Sequence, residues 1–291
     1  MISRVTLLRT LGKCIRILSK LDTTKSIPTA KQETDIRIVM FCGTKGIDYL
    51  NASLESIRKH WSKKPHITIV TDGSAPDVLF SKLKRANRNI EIIRWQTCAD
   101  YFKINGNIQL YNYADRDVWG KKLVSILYFA RKGRILYSDS DVIWFKDPVN
   151  WLDNKGNNEL FIYMCPDQSH CYSLQMLSSL NNKGLLTNPP MNAGLMFLKG
   201  DFTQYHKWGL LCNYLEQHAD YRSEQTTFAI LSNEYGGVFN ENEIMLELDD
   251  MFDLRPKQFS SKYSTSFARH YVNTKPWLFW RDYLRFVSLW H

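Results

Sequence analysis

No stretch of the 291 residues approaches the unbroken apolar run of about 18 that a membrane-crossing helix requires, so a helical integral membrane protein is not expected. No Cys-x-x-Cys pair occurs among Cys14, Cys42, Cys98, Cys165, Cys171 and Cys212, which removes the zinc-ribbon and thioredoxin signatures. Most of these cysteines lie among apolar neighbours, so free thiols in a reducing compartment, the cytoplasm, are expected. Internal repeats and low-complexity segments are missing as well. Charge of one sign is scarce in the body of the chain: of a net +9, residues 1–34 carry +5, with seven Lys or Arg against Asp22 and Glu33. A domain built to grip nucleic acid would stripe its charge over the folded body, so no nucleic-acid partner is expected. What is present, 44% hydrophobic and 23% charged residues, is the composition of an ordinary folded domain.

The basic end piece has its own pattern. Val5, Leu8, Leu11, Ile15, Leu18 and Leu21 recur at helical spacing, with Arg4, Arg9, Lys13, Arg16 and Lys20 between them and no acid before Asp22. This predicts a basic amphipathic helix over residues 2–21, suited equally to packing on its own domain and to lying on an anionic membrane surface. An Arg-rich organellar transit peptide also fits, whereas the continuous apolar core of a secretory signal is missing. Thr23 to Thr34 is polar, contains Pro28 and reads as a linker. The expected division is therefore residues 1–34, helix and linker, and residues 35–291, one domain.

From Ile36 short apolar runs alternate with helical segments: Ile36–Phe41, Ile67–Val70, Ile90–Ile93 and Ile135–Tyr137 predict strands. Leu50, Leu54, Ile57 and Trp61 share a helical face between the first two. Such alternation predicts an α/β domain with a mostly parallel sheet, in which ligands sit beyond the carboxyl ends of strands. The segments Phe41-Cys42-Gly43-Thr44 and Thr71-Asp72-Gly73 are two such positions.

A third is sharper. In Arg134-Ile135-Leu136-Tyr137-Ser138-Asp139-Ser140-Asp141 an apolar strand runs into two carboxylates spaced i, i+2. Their repulsion and desolvation are relieved by a hard divalent cation, which would in turn hold a diphosphate; alone, the pattern fits an Asp-rich turn equally well. About 130 residues on, Arg269-His270-Tyr271-Val272-Asn273-Thr274-Lys275-Pro276-Trp277 offers one imidazole and one ammonium. Asn192-Ala193-Gly194 opens an apolar run with small residues that allow close backbone approach. Ser223-Glu224-Gln225 starts a helix, with Ser223 as the expected cap.

Together these four pieces resemble the glycogenin and lipopolysaccharide-galactosyltransferase-like family of retaining nucleotide-sugar transferases, over about Ile36 to Trp277. The resemblance implies a GT-A fold, a central, mostly parallel Rossmann-like sheet flanked by helices. It implies Asp139, Asp141 and His270 as ligands of Mn²⁺, with Mg²⁺ as the alternative. Lys275 would bind the diphosphate and Tyr49 would stack on uracil, with Lys122 in the place of the family's basic residue. Asn192, Ala193, Gly194 and Gln225 would line the sugar and acceptor pocket, with Glu224 and Gln225 as the catalytic pair. The implied reaction moves galactose or glucose from a UDP-sugar to a hydroxyl of a saccharide or lipid-linked glycan, which suits a peripheral membrane location. The chain departs from the family by Glu224-Gln225 in place of Asp-Gln, by Lys122 in place of Arg, and by a shorter late motif with Asn273 where glycine is usual.

Two other readings compete. Asp139-Ser140-Asp141 also matches the opening motif of haloacid-dehalogenase-type phosphatases, with Asp139 as nucleophile. The net charge and basic helix alone would suit a binding protein for nucleic acid or anionic lipid. Aromatic residues mixed with Arg281 and Arg285 at the end of the chain (Phe279, Trp280, Tyr283, Phe286 and Trp290) suit either a headgroup interface or a cap on the core.

Overall fold

The computed structural model describes residues 10, 12–14, 16–17, 32–86, 89–156, 158–246, 265–272 and 276–288. Strand β1, Gln32–Cys42, is central because both its faces are apolar: Val39 packs into one layer of core, and Ile36, Ile38 and Met40 pack into the other. A strand buried on both faces reads as a near-continuous hydrophobic run, as this one does. It starts at Gln32 rather than Ile36, since Gln32 and Glu33 pair with Lys63 and Lys64 across a register shift. The linker expected to reach Thr34 therefore gives way to strand at Gln32.

Parallel neighbours follow on one side: β2 (Lys63–Thr71), then β3 (Ile90–Arg94). The chain then crosses to the other side of β1 and lays down β4 (Ile135–Ser138), also parallel. Beyond it lie β7 (Met191–Lys199), antiparallel to both neighbours, then β6 (Phe161–Pro166) and β8 (Gly236–Val238), for an order of 3-2-1-4-7-6-8. A second sheet not anticipated from sequence joins β5 (Val142–Trp144), β10 (Ala268–His270) and β9 (Ile244–Met245).

The helices that accompany these strands include α1 (Ile47–His60), α2 (Asp77–Ala86), α3 (Trp95–Ile104), α4 (Ile108–Arg116) and α5 (Val118–Ala130) in the first half, then α6 (Val149–Lys155), α7 (Leu174–Ser179), α8 (Trp208–His218), α9 (Ser223–Tyr235) and α10 (Pro276–Tyr283). The predicted face of Leu50, Leu54, Ile57 and Trp61 is the buried face of α1. None of these helices is long and apolar enough to cross a membrane.

At the amino end, the described residues Thr10, Gly12, Lys13, Cys14, Arg16 and Ile17 are helical; the rest of the predicted helix lies outside the described residues. Arg16 is ion-paired with Asp48 in the first turn of α1, so this part of the helix touches its own domain. At the carboxyl end, Phe279, Trp280, Tyr283 and Phe286 are buried with Trp277, Ile143 and Tyr271 in a third core cluster. They cap the core, and the headgroup-interface alternative does not hold for them. Trp290 lies outside the described residues.

Candidate active site

The chain reverses its direction of strand addition between β1 and β4, and in open α/β sheets ligands sit beyond the carboxyl edge at such a switch point. The ends of β1 and β2 are tied together beside it. Thr44 N–H donates to Ser74 Oγ at 3.0 Å, Thr44 Oγ1 donates to Ser74 O at 2.7 Å, and Ser74 N–H donates to Asp72 Oδ1 at 2.7 Å. A Cβ on Gly43 would lie 2.1 Å from the Asp72 carboxylate, so a larger residue there would displace the Asp72 and Ser74 side chains.

The end of β4 supplies the two carboxylates. Asp139 N–H donates to Gly194 O on β7 at 2.7 Å, and Asp141 O accepts from Tyr271 N–H, just after β10, at 3.0 Å. The antiparallel register of β10 on β5 then sets His270 opposite Val142 and turns its imidazole to the carboxylates. His270 Nε2 lies 3.4 Å from Asp141 Oδ1 and 3.8 Å from Asp139 Oδ2. Ligand atoms of the three residues all fall within 4.8 Å of one another. Burial works against a charged imidazole, but the Asp141 carboxylate outweighs it and holds the His270 pKa well above its ordinary value. Two carboxylate oxygens and one imidazole nitrogen within one small sphere suit a divalent cation that accepts mixed O and N donors.

Small residues make that approach feasible. A Cβ on Gly194 would lie 1.9 Å from His270 Cε1, so the ring occupies the space left by the missing side chain. Asn192 Oδ1 accepts from Gly194 N–H at 2.8 Å, which stiffens the start of β7, and Asn192 Nδ2 donates to Asp167 Oδ2 at 3.0 Å. The Cys165 thiol beneath them donates to Asn192 O at 3.3 Å and also reaches the imidazole.

Beside the triad a lysine is buried among acids. Lys122, on α5, is 4% exposed and lies 3.2 Å from Asp139 Oδ1 and 3.4 Å from Glu224 Oε1 on α9, while donating to Ala193 O at 3.3 Å. Desolvation opposes its charge, yet Asp139 and Glu224 hold its pKa above the usual lysine value. Glu224 is buried too, and burial pushes its pKa up to about 7 despite the neighbouring ammonium. Tyr137 donates its phenol proton to Asp139 Oδ1, and its ring lies 4.9 Å from Lys122 Nζ.

Of the residues singled out from sequence, Lys122, Asp139, Asp141, Asn192, Ala193, Gly194, Glu224 and His270 thus meet in one place. Gln225 is half-buried one position further on α9, its Nε2 3.5 Å from Cys171 O. Ser223 is the first helical residue rather than the cap; it exchanges hydrogen bonds with Asp220, whose Oδ1 also accepts from Arg222 N–H. Tyr49 sits in the first turn of α1, its ring edge-on to Phe279 at 4.7 Å and tilted against Trp280 at 5.6 Å. Burial chiefly raises its pKa, Arg16 opposes this, and the nearby Asp141 charge adds to it. Lys275, with Asn273 and Thr274, lies outside the described residues.

Sequence reading missed Asp167, Cys165 and the role of Tyr137. Asp167 directly follows β6, which runs parallel to β4 by way of β7. The rule that pointed to Asp72 and Asp139 would have found it had Phe161–Pro166 been identified as a strand.

No family model matches the chain, and no curated protein matches it by sequence. Among solved structures it is similar to mouse xyloside xylosyltransferase 1 in its apo form, at 13% identity and a TM-score of 0.54, over 82% of this chain and 98% of that one. It is similar to the galactosyltransferase LgtC, solved with donor and acceptor sugar analogues, at 10% identity and a TM-score of 0.54, over 88% and 98%. It also resembles the bifunctional glycosyltransferase WbbM at 13% identity and a TM-score of 0.55, over 89% of this chain and half of that one. The fold is therefore the GT-A fold that the sequence motifs implied, a mostly parallel sheet flanked by helices.

Proposed function

We propose that this chain is a metal-dependent retaining glycosyltransferase that moves a hexose, galactose or glucose, from a UDP-sugar to a hydroxyl of a saccharide or lipid-linked glycan. The observation that carries the reading is the meeting of Asp139, Asp141 and His270 at the carboxyl edge of a GT-A sheet, with Lys122 and Glu224 buried beside them. The phosphatase reading of Asp139 loses its support, because three parallel strands of a GT-A sheet precede the one that bears it.

In this reading Asp139, Asp141 and His270 would hold Mn²⁺, or Mg²⁺ in its place, which would bind the donor's diphosphate. When bound, the dication supplies Lewis-acid neutralisation of the charge that grows on the departing diphosphate. Lys122 fixes the Asp139 carboxylate and offsets the negative charge gathered there. Asn192, Ala193 and Gly194 present a narrow backbone edge to the sugar, and Asp167, held by Asn192, adds an acceptor for a sugar hydroxyl. Glu224 and Gln225 are the catalytic pair on the far side of Lys122. Lys275 is assigned to the diphosphate and Tyr49 to the uracil. A retaining hydrolase would instead need two carboxyl groups about 5–5.5 Å apart, both facing the bond; here Asp139 and Glu224 are both turned to Lys122.

The test is UDP release from a panel of UDP-hexoses with Mn²⁺, alone and with saccharide acceptors. Asp139→Asn, Asp141→Asn and His270→Ala should each nearly abolish turnover. Full activity in a chelator would overturn the metal assignment, and turnover of small phosphate esters instead of UDP-sugars would overturn the reaction class.

A further inference from the structure

We propose that Asp282, in the carboxyl-terminal helix α10, is the positioning residue that aims His270 at the metal. The inference rests on the reading of His270 as a ligand and adds to it the device that sets the ligand's angle.

Side chains alternate along a strand, so on β10 and the residue after it His270 points one way while Arg269 and Tyr271 point the other. The Arg269 guanidinium indeed lies 5.0 Å from the Tyr271 ring, on the face away from the site. Both of these flanking residues converge on one carboxylate. Arg269 Nη1 donates to Asp282 Oδ2 at 3.0 Å, and Tyr271 OH donates to the same oxygen at 2.7 Å. The other oxygen, Oδ1, accepts from Arg281 Nε at 2.7 Å. Asp282 is 0% exposed and Arg269 1%, so this clamp is closed to water.

The ladder around β10 is short and needs such help. The strand has three residues, its β9 partner has two, and Tyr271 N–H is the donor to Asp141 O. A twist of β10 about its axis would therefore change the angle of His270 and the position of Asp141 together. With its neighbours on both sides tied to one fixed carboxylate, His270 cannot swing out of the space that Gly194 leaves for it. Metal–ligand distances tolerate about 0.2 Å, so a loosened strand loses ligand geometry before it loses its fold. Groups that orient metal ligands from behind typically change metal affinity by about 10–100-fold when removed.

Mn²⁺ binding, followed by the loss of the free-ion EPR signal, tests this without turnover. It would be measured on the full chain and on Tyr271→Phe, Asp282→Asn, His270→Ala and each double variant with His270→Ala. Tyr271→Phe keeps the ring and the ion pairs and deletes only the clamping hydroxyl, so it stays folded even where Asp282→Asn does not. Its affinity should fall severalfold while Tm falls by only several degrees for the one buried hydrogen bond lost, and the affinity of Asp282→Asn should fall by about 10–100-fold. Both losses should shrink in the His270→Ala background, what remains being the effect on Asp141 through Tyr271 N–H. Equal losses with and without His270, or an unchanged affinity in Tyr271→Phe, would overturn the proposal. Should the double variants bind too weakly to titrate, Tyr271→Phe decides alone: a severalfold loss supports the proposal and an unchanged affinity overturns it. Absence of Mn²⁺ binding by the unaltered chain would overturn the metal reading itself, and the clamp's role with it.

Discussion

Replacing Gly194 by alanine puts one methyl group where the His270 ring already lies. The added Cβ would stand 1.9 Å from Cε1, 2.4 Å from Nε2 and 2.5 Å from Nδ1. Ordinary carbon contacts need about 3.5 Å, so the two groups must separate by roughly 1.5 Å. Strand β7 gives little here, because Gly194 O accepts from Asp139 N–H and Gly194 N–H donates to Asn192 Oδ1 with both faces of the strand buried, although its pairing with β6 is interrupted by a bulge over residues 193–195. The imidazole must move instead, about seven times further than the 0.2 Å that a metal site tolerates. Gly194→Ala should therefore weaken Mn²⁺ binding by on the order of 100-fold and reduce turnover at least as much. The overpacking itself should cost about 1–3 kcal/mol of stability. For a domain of this size that lowers Tm by about 2–4 °C per kcal/mol, leaving the protein folded at 25 °C. EPR titration of Mn²⁺ alongside differential scanning calorimetry measures both effects. Gly237→Ala is the control, since nothing lies within 4 Å of its added Cβ. Mn²⁺ affinity within threefold of the unaltered chain in Gly194→Ala would refute the reasoning, because the ring would then have room that the geometry denies it.

Other outcomes follow from burial and charge. Glu224 titrates near 7 in the folded chain against about 4.5 for an ordinary glutamate, so between those values the folded state holds the extra proton. Stability from this group is complete below pH 4.5 and is lost as pH rises through 7, by about 3 kcal/mol in all. Calorimetry in a chelator should show Glu224→Gln gaining on the unaltered chain from pH 5 to 8, and a constant difference would contradict the assignment. Cys42, Cys98 and Cys212 have thiols pushed up to about 12 by burial, and Cys165 is also buried, whereas Cys14 and Cys171 are exposed. An aromatic disulfide reagent should thus modify two thiols quickly in the native chain and the other four only on denaturation. Attachment of residues 2–21 to anionic vesicles is tested by co-sedimentation at low and high salt, comparing the full chain with one starting at Lys31, which spares the pairing of Gln32 with Lys63. Loss of sedimentation on truncation, and its weakening by salt, is expected; equal behaviour of the two chains would assign the helix wholly to its contact at Asp48.

The amino-acid sequence by itself determined the pieces of this site. Ile135–Tyr137 is a strand because its residues are apolar and short in run, and Asp139 and Asp141 follow it within four residues, so strand and carboxylates could be read in one window. The same holds for the buried strand opened by Asn192-Ala193-Gly194 and for the apolar face of α1. Only the tertiary structure decided which pieces meet. Lys122 looks like one member of a Lys-Lys pair on a helix until the packing of α5 buries it against Glu224, about 100 residues on. Phe279, Trp280 and Tyr283 carry the composition of a membrane interface, and their burial against Ile143 and Tyr271 exists only once the second sheet has formed. Asp282 has no pattern around it at all, and it gains its meaning from Arg269 and Tyr271 through the fold. The physical reason is one of range. Helical and strand periodicity arises from backbone geometry over two to four residues, so it is written locally. The angle at which His270 meets Asp141 is set instead by the pairing of β10 with β5, which are about 130 residues apart, and no local preference encodes it.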